Sequence, residues 1–526
     1  MTASTETPEA GRRRPLLRLC GVLVALLLAE APAPGRDMAY VAELSALGPH
    51  NTRTWGKWEN NYHVPAGESV TVAIHRADRI ELREHGAVRA ETFRVRYGQR
   101  AVAGGEGGQM IVPRYLAPPR WFPQDDPNDS VWALRLTCNE PGVHFVRVVP
   151  FKEGQELKSI WLTLRVTGQV PPSDCGFGFY VDPARCSYPH NERLYFEHMR
   201  VMGCNTLTIY GRAGESDDAQ ALDIARRIDL AIEVGLLDAR FPVVVLPSRD
   251  GADRPGQVLL EAKKRGVHGA SWPELIRYRM DEPKARPDSA ESVRQFSQKF
   301  HDLGLRTGTA LGAPAAFLCG DALDVWIIHM DTVSDEIRDK CRRDGAEWWT
   351  YNGYLHDTNA PLHRYYAGVW TWKVRPRVNL MWAYMHDAAS KVLPDGRWQA
   401  KSDFDHAIGA PDGPIGSVAL EGFRDGAVDY RILRHLEKLV EQSPAHEKAP
   451  VVAAWLQQLH DQVRPMFWPL EIQNTGRFKD RGITDTLEPP VDCVEVRKQA
   501  LTFIELMKIP WIDAQWPDRS TFVNTP

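Results

Sequence analysis

Residues 274–311 read ELIRYRMDEPKARPDSAESVRQFSQKFHDLGLRTGTAL. The stretch divides into a strand at Glu274 to Met280, a helix at Ser289 to Leu303 and a second strand at Arg306 to Leu311. Strand–helix–strand order over this length is the mark of a parallel βαβ unit. The same alternation runs outward in both directions. Upstream strands are expected at Phe177 to Val181, Asn205 to Tyr210 and Pro242 to Leu246, and downstream ones at Ala322 to His329, Glu347 to Asn352 and Val378 to Tyr384. Asn191 is placed to cap a helix running to Met202. Another helix starts at Asp217, with Ala221, Ile224, Ala225, Ile228 and Ile232 at helical spacing, and a third covers Val333 to Arg343. Eight such strands fit a (β/α)₈ TIM barrel, an α/β fold. An open doubly wound sheet is the alternative, but no GxGxxG or Walker-type loop follows the first strand. A helix at Leu420 to Leu439 closes the barrel, which is bounded at 175–442. Residues 445–526 form a helical C-terminal extension, with helices at Val451 to Leu459 and Val494 to Met507.

Ahead of the barrel, residues 51–168 alternate with period two, as in Glu68 to Ile74, Val131 to Leu136 and Ile160 to Val166. Glycine and proline clusters separate these runs, so an all-β sandwich domain is expected, joined to the barrel through Val170-Pro171-Pro172-Ser173. Residues 1–36 have the layout of a secretory signal. Arg12-Arg13-Arg14 precedes an apolar run from Leu16 to Ala29, broken by Arg18, and Ala29-Glu30-Ala31 fits a cleavage pattern. The expected location is periplasmic or extracellular. Pro32 disfavours cutting there, and an uncleaved membrane anchor, the only source of membrane contact, is the alternative. Cys20 lies in this segment. The other seven cysteines show no zinc or CxxC spacing; in an exported chain Cys175 and Cys186 could pair.

The formal net charge is −4, without the basic excess of a nucleic-acid-binding surface, and no metal or cofactor motif is present. The chemistry must therefore come from side chains, and in a barrel enzyme those lie at the C-terminal ends of the strands. At the end of the fourth strand Pro283 stops the chain and leaves Asp281 and Glu282 on the rim. The second strand ends at Tyr210 and the sixth is followed by Asp331. The seventh carries Trp349, Tyr351 and Asn352, and the eighth Trp382. Carboxylates among aromatic rings suit glycoside hydrolysis of a carbohydrate substrate, in which one carboxylic acid protonates the leaving oxygen. Glu282 takes that role. Trp349, Tyr351 and Trp382 are expected to line the site, with Tyr210 and Asn352 as hydroxyl or acetamido partners.

The second catalytic group decides the mechanism. The seventh strand begins with Glu347 and ends in Tyr351-Asn352, so it offers no carboxylate at the rim. A 2-acetamido group of the substrate can then act as nucleophile with Asp281 orienting it, a recognised exception to the two-carboxylate scheme. An inverting or non-acetamido glycosidase with Asp331 as second carboxylate stays open, as does a non-catalytic exported sugar-binding protein.

The order of sandwich, barrel, Asp281-Glu282-Pro283 and the segment Glu421-Gly422-Phe423-Arg424-Asp425-Gly426-Ala427-Val428-Asp429-Tyr430 resembles glycoside hydrolase family 123. The resemblance spans about residues 60–440. It implies a β-N-acetylgalactosaminidase-like activity, retaining and substrate-assisted, with Asp281 as the acetamido-orienting residue and Glu282 as the acid/base. The chain departs from that pattern in showing no clear β module after the barrel.

Overall fold

The computed structural model describes residues 39–44, 60–101, 109–121, 131–211, 216–246, 272–278, 281–352, 355, 358–399, 401–402, 404–464 and 488–508. The expected signal or anchor, and Cys20 with it, lies outside them. Among the described residues no helix is long and apolar enough to cross a membrane.

The first layer is built from β1 (Tyr40–Glu43), β2 (Asn61–Pro65), β3 (Ser69–His75), β4 (Arg79–Glu84), β5 (Arg89–Ala101), β6 (Gln109–Ala117), β7 (Val131–Thr137), β8 (Gly142–Lys152), β9 (Gln155–Glu156) and β10 (Ile160–Thr167). They form two sheets, in the orders β1-β3-β7-β5-β6 and β2-β10-β8-β4, with β9 on the edge of β8. Val70, Val72, Leu134 and Leu136 of one sheet meet Val146, Val148, Leu162 and Leu164 of the other, as a period of two requires. The other face of the five-stranded sheet is also covered, since Ala73, Val95 and Ala133 pack on Ala360 and Val418 of the barrel. That double burial puts Thr71 and Arg135 indoors, where they need polar partners. β1 extends this sheet with four residues from before position 51; so short a strand carries little periodicity.

The barrel closes through β11 (Gly176–Val181), β12 (Thr208–Tyr210), β13 (Val243–Leu246), β14 (Leu275–Tyr278), β15 (Arg306–Leu311), β16 (Val325–His329), β17 (Glu347–Asn352) and β18 (Val378–Met381). All neighbouring pairs are parallel, and β18 returns to β11. β12 starts three residues later than expected because Asn205 turns its side chain to the Phe177 amide, 2.7 Å away. Around the barrel lie α1 (Glu192–Val201), α2 (Asp217–Glu233), α3 (Pro287–His301), α4 (Ala313–Cys319), α5 (Asp335–Arg343), α6 (Ala360–Tyr365), α7 (Thr371–Val374) and α8 (Val418–Gln442). Ser216, Ser334, Asn359 and Ser417 each accept a bond from the backbone three residues on, an ordinary N-cap. Asn191 precedes α1 but makes no cap bond. Its amide donates instead to the Ala410 and Pro411 carbonyls at 3.0 and 3.2 Å, and this pull outcompetes the cap.

α8 explains the Glu421–Tyr430 segment. A Cβ on Gly422 would lie 2.1 Å from the Ala360 carbonyl oxygen, and one on Gly426 2.5 Å from that of Arg364. The two glycines, four apart, form the smooth stripe on which α6 rests. On either side of them runs a buried ionic chain. Glu421 accepts from Arg135 and, at 2.8 Å, from Thr71 of the sandwich. Asp429 binds Arg364 at 2.6 Å and also Arg497. Burial alone would raise the Glu421 carboxyl, but Arg135 and Arg424 outweigh it and hold it below its ordinary range. The motif thus joins sandwich, barrel and C-terminal helices; its charges are structural.

β19 (Lys391–Val392), β20 (Trp398–Gln399), β21 (Ala407–Ala410) and β22 (Gly413–Gly416) form a small sheet between β18 and α8. The sheet lies inside the expected barrel bounds of 175–442, and strands of two to four residues are too short to announce it in the sequence. After α8 come α9 (Ala449–Gln462) and α10 (Cys493–Lys508). The seven cysteines among the described residues are all free thiols, which corrects the Cys175–Cys186 pairing. The first stands just before β11 and the second beyond its far end. With a rise of about 3.3 Å per residue, the strand keeps them too far apart for a bond that needs Cα atoms within about 7 Å.

Candidate active site

The C-terminal mouth of the barrel gathers tyrosines from four strands around the two carboxylates. β14 alternates, so Ile276 and Tyr278 point into the barrel while Arg277 points to the helices. Residues 279 and 280 are outside the described set, and Asp281 and Glu282 follow on an exposed turn. The Tyr278 hydroxyl donates to Oδ1 of Asp281, and the Tyr351 hydroxyl, from β17, donates to Oε1 of Glu282. Glu282 has φ of +45°, in the left-handed region that a non-glycine residue enters at a cost. Backbone held this way at a chemical site is a pointer to function.

Burial pushes the Tyr278 phenol well above its ordinary range, and the neighbouring Tyr180 and Asp281 add to the effect. Tyr180, on β11, is raised well above its range by burial, then by Tyr210, Asp281 and Glu282. Both phenols therefore remain protonated. Tyr180 also anchors an aromatic wall. Its ring centroid is 5.3 Å from Trp382, 6.3 Å from Tyr351 and 6.4 Å from Tyr210. His329 meets Tyr351 edge to face at 4.8 Å. Behind the wall the Arg185 guanidinium sits 5.3 Å from the Trp382 ring centre, held by Asp182 at 3.2 Å and by the His386 carbonyl at 2.8 Å. Burial, then the charge of Arg185, keeps the His386 pKa below its ordinary value.

Of the residues expected from sequence, Asp281, Glu282, Tyr351, Tyr210 and Trp382 come together here. Trp349 does not. It is fully buried lower in the barrel, and its indole N–H donates at 3.3 Å to Glu347, at the opposite end of its strand from the mouth. Alternation alone gave Trp349 and Tyr351 the same face but not the same depth. Asn352 is 1% exposed, and its side-chain oxygen accepts from the Leu355 amide at 3.1 Å, so it shapes the loop after β17. Asp331 lies in the 3₁₀ turn Met330–Thr332 after β16, and its side chain lies outside the described residues. Sequence reading missed Tyr180, Tyr278 and Arg185. The signal for Tyr278 was present: a tyrosine on the inward parity of the strand, three residues before the carboxylate.

A carboxylate pair, each member bonded to a phenol, facing a wall of aromatic rings, can protonate a leaving oxygen and stabilise developing positive charge beside a stacked sugar.

No family model and no curated protein sequence matches the chain. Solved structures do. A family 123 glycoside hydrolase from Clostridium perfringens superposes with a TM-score of 0.59 at 10% identity, covering 89% of this chain and 99% of its own. The chain has the fold of a family 123 glycoside hydrolase. Weaker likenesses are to a family 39 glycoside hydrolase from Bacteroides cellulosilyticus, with TM-score 0.35, 10% identity and coverage of 70% and 82%, and to a Bacteroides ovatus GH5 xyloglucanase, with TM-score 0.31, 10% identity and coverage of 71% and 99%.

Proposed function

We propose that the chain is a retaining glycoside hydrolase that cleaves a β-linked 2-acetamido sugar, N-acetylgalactosamine foremost, using the substrate's own acetamido oxygen as nucleophile. The observation that carries this reading is the pair Asp281–Glu282 at the mouth, faced across the barrel by Tyr351 where a second carboxylate would otherwise stand. Adjacent carboxylates from one strand end do not flank an anomeric carbon. An acetamido oxygen already lies next to it, and such intramolecular attack can be worth about 7–11 kcal/mol.

In this scheme Glu282 protonates the leaving oxygen as the acetamido oxygen bonds to the anomeric carbon. Asp281 accepts the acetamido N–H and stabilises the charge that develops on the cyclised ring. Water, deprotonated by Glu282, then opens that ring with the β configuration restored. Trp382, Tyr180 and Tyr210 supply a face for the sugar. The structural relative from Clostridium perfringens is described as acting in glycolipid glycan hydrolysis, which supports a glycan substrate. An exported location is part of the proposal and rests on residues 12–31.

The test is hydrolysis of aryl β-N-acetylgalactosaminide, the glucosamine analogue and the plain galactoside, with and without a thiazoline mimic of the cyclised intermediate. The acetamido substrates should be cleaved, the plain galactoside poorly, and the thiazoline should inhibit competitively. Glu282→Gln should cost about 10²–10⁴-fold on substrates with poor leaving groups and less on activated aryl glycosides. Efficient cleavage of the plain galactoside without thiazoline inhibition overturns the reading and moves the second carboxylate to Asp331.

A further inference from the structure

We infer that Tyr278 is a positioning residue that holds Asp281 ionised and in one rotamer. The inference deepens the proposed function and rests on it for the role of Asp281.

Asp281 sits on an exposed turn, where a carboxylate would ordinarily sample several rotamers. Tyr278 is the fixed point beneath it. The ring is 1% exposed, belongs to the barrel's inner core with Ile276 and Trp349, and reaches Oδ1 of Asp281 with its hydroxyl. A phenol buried this deeply keeps its proton and can only donate to the carboxylate. A donated hydrogen bond favours the charged form of the acceptor.

The arrangement separates two carboxylates that are neighbours in the chain. Asp281 is held by a phenol of its own strand and Glu282 by a phenol of β17, while the left-handed backbone at Glu282 splits their directions. One carboxylate must stay charged while the other gives and takes a proton, so separate anchors let the two roles diverge.

The experiment is Tyr278→Phe in the full chain, which removes one oxygen and keeps the ring in the core. On an aryl 2-acetamido glycoside kcat should fall about 10- to 100-fold, the range expected for a misplaced catalytic group, with KM within about twofold. The acidic limb of kcat/KM should move to higher pH by about one unit, because Asp281 loses a donor to its charged form. A Tyr278→Phe/Asp281→Asn double variant should cost little more than Asp281→Asn alone. An unmoved acidic limb, or additive losses, would show that the phenol acts only as core filling and overturn the inference. A carbon-13 titration of the Asp281 carboxyl, wild type against Tyr278→Phe, needs no substrate. An upward shift supports the positioning role even if acetamido glycosides prove not to be substrates, and equal titrations refute it even if they are.

Discussion

The Tyr351 hydroxyl donates to the Glu282 carboxylate and so ties the seventh strand of the barrel to the turn after the fourth. Both groups reach the same spot from opposite sides of the mouth. A general acid works only when aimed at the leaving oxygen, and this bond fixes the aim of Glu282. Tyr351→Phe should therefore lower kcat about 10- to 100-fold on substrates with poor leaving groups, from lost alignment, and less on activated aryl glycosides. Turnover of the two substrate classes reads this directly. Equal losses on both separate Tyr351 from the proton-transfer step.

Trp382 and Trp349 should behave as different kinds of residue. Trp382 is half-buried in the aromatic wall, and Trp349 is wholly enclosed in the barrel. Trp382→Ala should raise KM about tenfold for loss of sugar stacking worth about 1.4 kcal/mol, with little change in unfolding midpoint. Trp349→Ala should leave KM near wild type in whatever protein folds and cost about 3–5 kcal/mol in denaturant unfolding. The reverse pattern would place the binding surface lower in the barrel.

α8 should be intolerant of small changes although it carries no chemistry. Gly426→Ala forces a methyl group toward the Arg364 carbonyl and should cost about 1–3 kcal/mol as overpacking. Asp429→Asn removes the charge that Arg364 and Arg497 share and should cost about 3–5 kcal/mol, leaving buried guanidinium groups uncompensated. Urea unfolding of both variants, with kcat measured on the folded fraction, checks the claim. A folded variant of normal stability but without activity would transfer the motif to the site.

Stability should fall steeply with acid. Burial, then the nearby Arg76, lowers His75 to about 3, and burial, then Arg135, lowers His198 to about 3. Each ring is neutral in the folded chain and binds a proton when the chain unfolds below its ordinary pKa near 6.5. Their contribution is complete above pH 6.5 and is lost as pH falls toward 3, at up to about 1.4 kcal/mol per pH unit for each ring. Between pH 7 and pH 5 the two should remove about 4 kcal/mol. Chemical unfolding at the two pH values measures it, and His198→Asn should flatten the slope. Equal midpoints at pH 7 and pH 5 would refute the assignment.

The residues themselves determined the eight strands, their helices, the sandwich and the rim position of Asp281 and Glu282. Each of these is a local matter: period two or 3.6 in apolar residues, and serine caps. Only the tertiary structure decided depth and partnership. The parity that put Trp349 and Tyr351 on one face could not say that the first would bond Glu347 low in the barrel and the second Glu282 at its mouth. Nor could it reveal that Arg424, Asp425 and Asp429 are sealed between sandwich, barrel and C-terminal helix. A side chain's direction follows from its own stretch of backbone. What it meets there is set by how the barrel closes and by chain hundreds of residues away, as Thr71 meets Glu421 across 350 positions.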